Sequence, residues 1–240
     1  MTSIRCQLSF LKSRRRINRF VLSYLVESGH KYYITGRSEQ EGKGMNDKDL
    51  VWEEIKTEHI IQDEWIDFRS SIYRYPDGRV FSPFYSYSRR DYTVIVASDE
   101  EGRYLCVRQF RQGIRQVTTE FPAGGIERSD GKEYGGDKNA AESALSCAKR
   151  ELKEETGYES DDWTHLITIP SNATIADNYA YVFLARNCRK VAAQHLDESE
   201  CLDVEKYTAE EIEEMIRTGK FQQSVHVMAW LLAKEKHDHA

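Results

Sequence analysis

The chain has 240 residues, 40% of them hydrophobic and 31% charged, with 14 Tyr, 9 Phe and 4 Trp; so many aromatics exclude disorder throughout and low complexity. A net charge of −6 argues against a duplex nucleic-acid binder, and no apolar run reaches the roughly 20 residues of a membrane helix. The five cysteines (Cys6, Cys106, Cys147, Cys188 and Cys201) are odd in number, widely spaced and free of any CxxC pair. That pattern speaks against a disulfide framework or structural zinc and for a reducing, cytoplasmic setting.

Residues 1–44 carry nine Lys/Arg against three acids, so they are +6 and residues 45–240 are −12. They read as a basic extension outside the main fold, either an upstream start or, second, a targeting segment. Met45 to Leu50 resembles a fresh N-terminus. From Val51 the pattern is mostly β. Strands are expected over Trp65–Tyr75 and Arg79–Tyr87, joined by the turn Tyr75-Pro76-Asp77-Gly78, in which Pro presets φ and Gly supplies a left-handed position. A second pair, Tyr92–Ala97 and Tyr104–Arg108, flanks Asp99-Glu100-Glu101-Gly102. A helix is expected over Asn139–Thr156, strands over Trp163–Ile169, Tyr179–Ala185 and Leu202–Tyr207, then helices over Ala209–Arg217 and Gln222–Lys236. Strands on both sides of one helix, with helices at the end, predict an α+β domain of α/β/α layers. The expected division is 1–44 extension, 45–88 β-rich subdomain and 89–240 main domain.

The central helix carries the chemistry. Glu151, Glu154 and Glu155 stand at i, i+3 and i+4, on one face. Ala141, Leu145, Ala148 and Leu152 form a second stripe, expected to face the core. Asn139 and Glu142 have the spacing of a capping pair, and Gly157 sits where a helix ends. Three carboxylates on one face repel, by up to about 4 kcal/mol per close pair. The plain alternative is a solvated acidic face relieved by Lys149, Arg150 and Lys153; a hard divalent cation reverses the repulsion and makes the face a site.

The run Arg150-Glu151-Leu152-Lys153-Glu154-Glu155-Thr156-Gly157-Tyr158, with Glu142 eight positions before Arg150, resembles the box of the Nudix hydrolases. Gly136 meets the box's first spacing, but Phe121-Pro122-Ala123-Gly124-Gly125 lies too early for it, which implies an insertion between Ile126 and Ala141. Val107-Arg108-Gln109-Phe110-Arg111, Glu120-Phe121-Pro122-Ala123-Gly124 and the acidic Asp197-Glu198-Ser199-Glu200 before a strand are similar to the ADP-ribose and nucleoside-diphosphate-sugar branch. The likeness covers about Val51 to Lys236.

The resemblance implies a Nudix-type α/β/α sandwich with a mixed sheet, Mg²⁺ or Mn²⁺ as cofactor, and cleavage of a nucleoside diphosphate sugar into a nucleoside monophosphate and a sugar phosphate. It implies Glu151, Glu155, Glu154 and the Ala123 carbonyl as metal ligands. Glu198, ahead of Glu200, would be the general base, although an acidic loop is by itself most often solvated. Arg108, Arg111 and Glu120 would bind substrate, while Glu142, Arg150 and Gly157 would be structural. It also implies a homodimer through N-terminal strands, with no membrane or nucleic-acid partner. Trp52, Trp65 and Tyr92 are of the type that stacks a base, against the plainer reading of core or dimer packing. The stretch Ser171 to Asn178, with Ala173 and Thr174 where some relatives have proline, departs from the ADP-ribose pattern and leaves the sugar-nucleotide class. The alternatives are a silent nucleotide-sugar sensor, or action on another pyrophosphate such as an RNA end, an oxidised nucleotide or coenzyme A.

Overall fold

The computed structural model describes residues 6–11, 19–25, 31–37, 46–63, 65–129, 141–197 and 200–238. The chain divides into two compact units, Met1–Trp52 and Glu53–Ala240. The first unit contains an antiparallel meander of β1 (Cys6–Leu11), β2 (Arg19–Leu25) and β3 (Lys31–Arg37). A single 3-10 turn at Asp47–Asp49 follows, started by Asn46. No strand was expected before Val51; the three segments are rich in Leu, Val, Tyr and Phe, which suit a pleated surface.

The second unit begins with β4 (Glu53–Gln62), β5 (Asp67–Arg74) and β6 (Val80–Ser88), an antiparallel three-stranded sheet. The β5–β6 hairpin turns where expected: Tyr75 N donates to Arg79 O at 2.8 Å and Gly78 has φ 86°. The larger sheet has eight strands. Its path runs β11 (Tyr158–Glu159), β13 (Tyr179–Lys190), β7 (Tyr92–Asp99), β8 (Tyr104–Arg111) and β14 (Leu202–Tyr207). Three strands branch from that path: β9 (Gln116–Glu120) pairs with β8, β10 (Ala123–Gly125) with β7, and β12 (Asp162–Pro170) with β13. The β13–β7 pair is parallel and the other pairs are antiparallel, so the sheet is mixed.

Both faces of this sheet are covered, and the side-chain alternation of a strand splits the core in two. From β7 and β13, Ile95, Ala97, Phe183 and Ala185 face α1 (Ala144–Thr156) and meet Ala148 and Leu152. Val94, Val96, Val182 and Leu184 face the other way. They meet Ile212 of α2 (Ala209–Arg217) and Ala229, Trp230 and Ala233 of α3 (Ser224–Asp238). Each fully buried Val, Leu or Ile here contributes roughly 1.5–3 kcal/mol. The expected α/β/α sandwich therefore forms.

The small sheet joins the large one through the loop after β12. Tyr87 N donates to Ile175 O at 2.8 Å, and Asp177 accepts from Ser88 Oγ at 2.5 Å and from Arg69 Nη2 at 3.1 Å. Ser171 to Asn178 is thus a docked loop.

Three local expectations are corrected. The central helix starts at Ala144, not Asn139, and its N-cap is Ser143, whose Oγ accepts from Ser146 N at 3.1 Å; Asn139 lies outside the described residues. Glu142 does not cap because its carboxylate is taken by Arg150 and by Glu127 N. The core stripe also differs: Ala141 lies outside the helix and Leu145 is 37% exposed. Ala148 and Leu152 are fully buried as expected, and Cys147 joins them.

Candidate active site

The site is built where α1 crosses the end of β10. Glu151 and Glu155 lie one turn apart on α1 and are buried, at 6% and 2% exposure. Glu200 comes from the chain before β14 and is exposed; carboxylate oxygens of the three lie within 4.8 Å of one another. Glu154 is outside this cluster. Its carboxylate turns to Arg150 Nη1 at 3.0 Å, although it shares the helix face by spacing alone. Glu198 and Gly136 lie outside the described residues, as does most of the expected insertion. The ends of that insertion are held together: Glu142 N donates to Glu127 O at 3.0 Å, and Arg128 bridges to Ala141.

Burial and mutual repulsion dominate the electrostatics. Burial pushes the Glu151 carboxyl up to about 7, against the pull of Arg150 and with further push from Glu154 and Glu200. Glu155 is raised well above its ordinary range, first by burial and then by Glu151, with the Ala123 N–H opposing. That N–H donates to Glu155 Oε2 at 3.1 Å. Gly124 lies so close that a Cβ there would stand 1.9 Å from Glu151 Cδ. Only glycine lets the backbone approach the carboxylate in this way. Two buried acids pushed upward next to a third are what a hard cation relieves, and their all-oxygen chemistry suits Mg²⁺ or Mn²⁺.

Arg150 orders the acids without joining them. Its guanidinium donates to Glu142 at 2.7 Å, Glu151 at 2.8 Å, Glu154 at 3.0 Å and the Gly125 carbonyl at 3.2 Å. The planar fork can serve several acceptors at once, which an ammonium cannot match.

The way Glu200 reaches α1 was not expected from any sequence pattern. The last carbonyls of a helix lack partners within it. Here the segment after β13 supplies them: His195 N donates to Glu154 O at 2.8 Å, and Gln194 Nε2 to Glu155 O at 2.7 Å. Val191 and Ala192 donate to Gly157 O. Gly157 caps the helix as expected, at φ 76°, with Ala192 O 2.2 Å from where a Cβ would be. Glu200 then folds back, and Asp197 N donates to its Oε2 at 3.1 Å. Gln and His in a coil have no pattern that marks them as anchors.

The two arginines of β8 part company. Arg108 pairs with Glu205 of β14 at 2.8 Å on an exposed surface. Arg111 forks onto Glu120, with Nε to Oε1 at 2.9 Å and Nη2 to Oε2 at 2.5 Å. Glu120 is fully buried and also accepts from Thr118 Oγ1 and Gln223 Nε2. Despite burial, the Arg111 fork holds Glu120 below the usual carboxylate range. Trp52 and Trp65 are exposed, whereas Tyr92 packs against the core.

Comparison with known proteins fits this geometry. An ADP-ribose pyrophosphatase of Bacillus subtilis (strain 168) is 26% identical over 197 residues, 78% of this chain and 96% of that protein. A methanol dehydrogenase activator of Bacillus methanolicus is 26% identical over 182 residues, 73% of this chain and 88% of that protein. A solved structure described as an ADP compounds hydrolase superposes with a TM-score of 0.67 at 18% identity, covering 79% of this chain and 96% of its own; it shares the fold. The model of the NUDIX domain matches residues 88–231, a span that runs from the end of β6 into α3 and holds every acid of the cluster. On that match, which takes in more than half of its length, the chain belongs to the Nudix hydrolase family.

Proposed function

We propose that the protein hydrolyses the diphosphate bond of a nucleoside diphosphate sugar, ADP-ribose or a close analogue, with a divalent cation, Mg²⁺ or Mn²⁺. The observation that carries this reading is the cluster of Glu151 and Glu155, both buried, with Glu200 above them. The name of the Bacillus subtilis relative supports the substrate class.

Glu151 and Glu155 would hold the cation, with the Ala123 carbonyl as a further ligand and Glu154 assisting through Arg150. A cation there supplies the charge that neutralises the diphosphate and lowers the pKa of an attacking water. The residues do the rest. Glu200, or Glu198 of the same acidic loop, removes a proton from the water, and its place in the cluster favours Glu200. Arg111, fixed in direction by Glu120, presents its guanidinium toward substrate phosphate, and Arg108 adds positive charge at the edge. Arg150 holds Glu151 in place and keeps Glu142 and Glu154 turned to itself. Exposed Ile55, Ile60, Ile61, Val80 and Phe81 on β4 and β6 support a homodimer through these strands. Among the described residues no helix is long and apolar enough to cross a membrane.

The test is a panel of nucleoside diphosphate sugars, capped RNA and coenzyme A, incubated with Mg²⁺ and followed by ³¹P NMR. Two phosphomonoester signals from a nucleotide sugar are expected. Tight binding without turnover would favour a sensor instead.

A further inference from the structure

The closing helix reaches back to the loop that carries Ala123. Phe121 lies in the two-residue break between β9 and β10. Its N–H donates to Nδ1 of His226 on α3 at 3.1 Å, and the histidine is 4% exposed. The Phe121 ring lies parallel to the imidazole, centroids 6.4 Å apart, and edge-on to Phe221 at 5.0 Å. Just ahead of the helix, Gln223 Nε2 donates to Glu120 Oε1 at 3.3 Å. The residues Glu120 and Phe121 are therefore held from α3 at two points, and Pro122 leads directly to Ala123.

We propose that His226 is a positioning residue for the cation site, acting through the Phe121 N–H. The inference rests on the functional reading above. An N–H that donates to Nδ1 requires that nitrogen to be bare, so the ring proton sits on Nε2. Burial pushes the imidazole down to about 4, against the charge of Glu120, and the ring stays neutral and accepting at physiological pH. With Phe121 fixed, the next residues deliver the Ala123 N–H to Glu155 and the Gly124 backbone against Glu151. A shift of the Phe121 peptide moves both contacts together. The sequence shows only a polar residue inside an apolar helical run.

Two substitutions separate positioning from packing. His226→Asn keeps an acceptor, because its Oδ1 falls near the site of Nδ1, yet it leaves a cavity. His226→Leu fills space but leaves a buried N–H without a partner, a defect large enough for about a ten-fold effect. Mn²⁺ alone is titrated into the full chain and followed by electron paramagnetic resonance, with melting temperature measured alongside. The Leu variant is expected to bind Mn²⁺ about ten-fold more weakly, and the Asn variant within about three-fold of wild type, although both melt lower. If the Leu variant does not fold, His226→Gln, whose carbonyl sits where Nε2 was, takes its place with the same expectation. Wild-type affinity without the acceptor, or equal weakening in Asn, would overturn the proposal. Absence of Mn²⁺ binding by the wild type would refute the functional reading itself, and the role of His226 with it.

Discussion

Replacing Glu151 by Gln separates chemistry from stability. Its carboxyl stands at about 7 in the folded protein against an ordinary 4.5. A carboxyl raised by folding destabilises the ionised state. As pH rises from about 4.5 to about 7, the unfolded chain gives up its proton before the folded one does, and stability falls across that window. The gap corresponds to about 3 kcal/mol above pH 7. Gln keeps an oxygen for Arg150 and carries no charge, so the variant escapes this loss. Without metal, the variant should melt at the wild-type temperature near pH 4, where the carboxyl is protonated in both states. It should melt on the order of 5–10 °C higher at pH 7.5. In saturating Mg²⁺ its turnover should fall by several orders of magnitude, since one of the charges that hold the cation is gone. The assay is thermal denaturation in chelator at both pH values, paired with initial rates. A variant that melts below wild type by the same amount at both pH values would refute the argument and give Glu151 a structural role.

Other substitutions probe the surrounding shell. Gly124→Ala should displace Glu151 and weaken Mn²⁺ binding in a titration, because its Cβ would lie 1.9 Å from Glu151 Cδ; unchanged affinity would mean that the close approach is dispensable. Glu120→Gln should cost roughly 2–4 kcal/mol in urea denaturation, toward the low end because Arg111 is a third exposed. The stability from Glu120 should be present above pH 4.5 and vanish as pH falls through its lowered folded value. Glu200→Gln should lower kcat by about 10²–10⁴-fold with Mn²⁺ affinity much less affected. If Glu198→Gln gives that loss instead, the neighbour is the base.

The parts legible in the sequence are those set by short-range rules. The box spacing placed Glu151 and Glu155 together because a helix fixes i and i+4 on one face. Thr208 and Glu211 close a reciprocal capping box at the start of α2, and that helix runs over Ala209–Arg217 as read. What escaped depends on partners far along the chain. Glu142 looked like a capping residue, yet Arg150, eight residues on, claims it. Glu154 matched the face, but the same arginine draws it from the cluster. The strand β10 is Ala-Gly-Gly and has no strand propensity of its own; it forms because it pairs with β7. The anchoring of Glu200 through Gln194 and His195 depends on free carbonyls at the end of α1, which no local pattern announces.

The buried Glu151 and Glu155 on α1 are proposed to hold a divalent cation, with Glu200 beside them as the base, for cleavage of a nucleotide sugar. The most direct measurement is ³¹P NMR of ADP-ribose with the protein at graded Mg²⁺ concentrations and then in excess chelator. Two phosphomonoester signals should grow in equal amounts, at a rate that rises with Mg²⁺ to saturation and stops in chelator. Undiminished cleavage in chelator, or none of any nucleotide sugar at saturating Mg²⁺, would contradict the proposal.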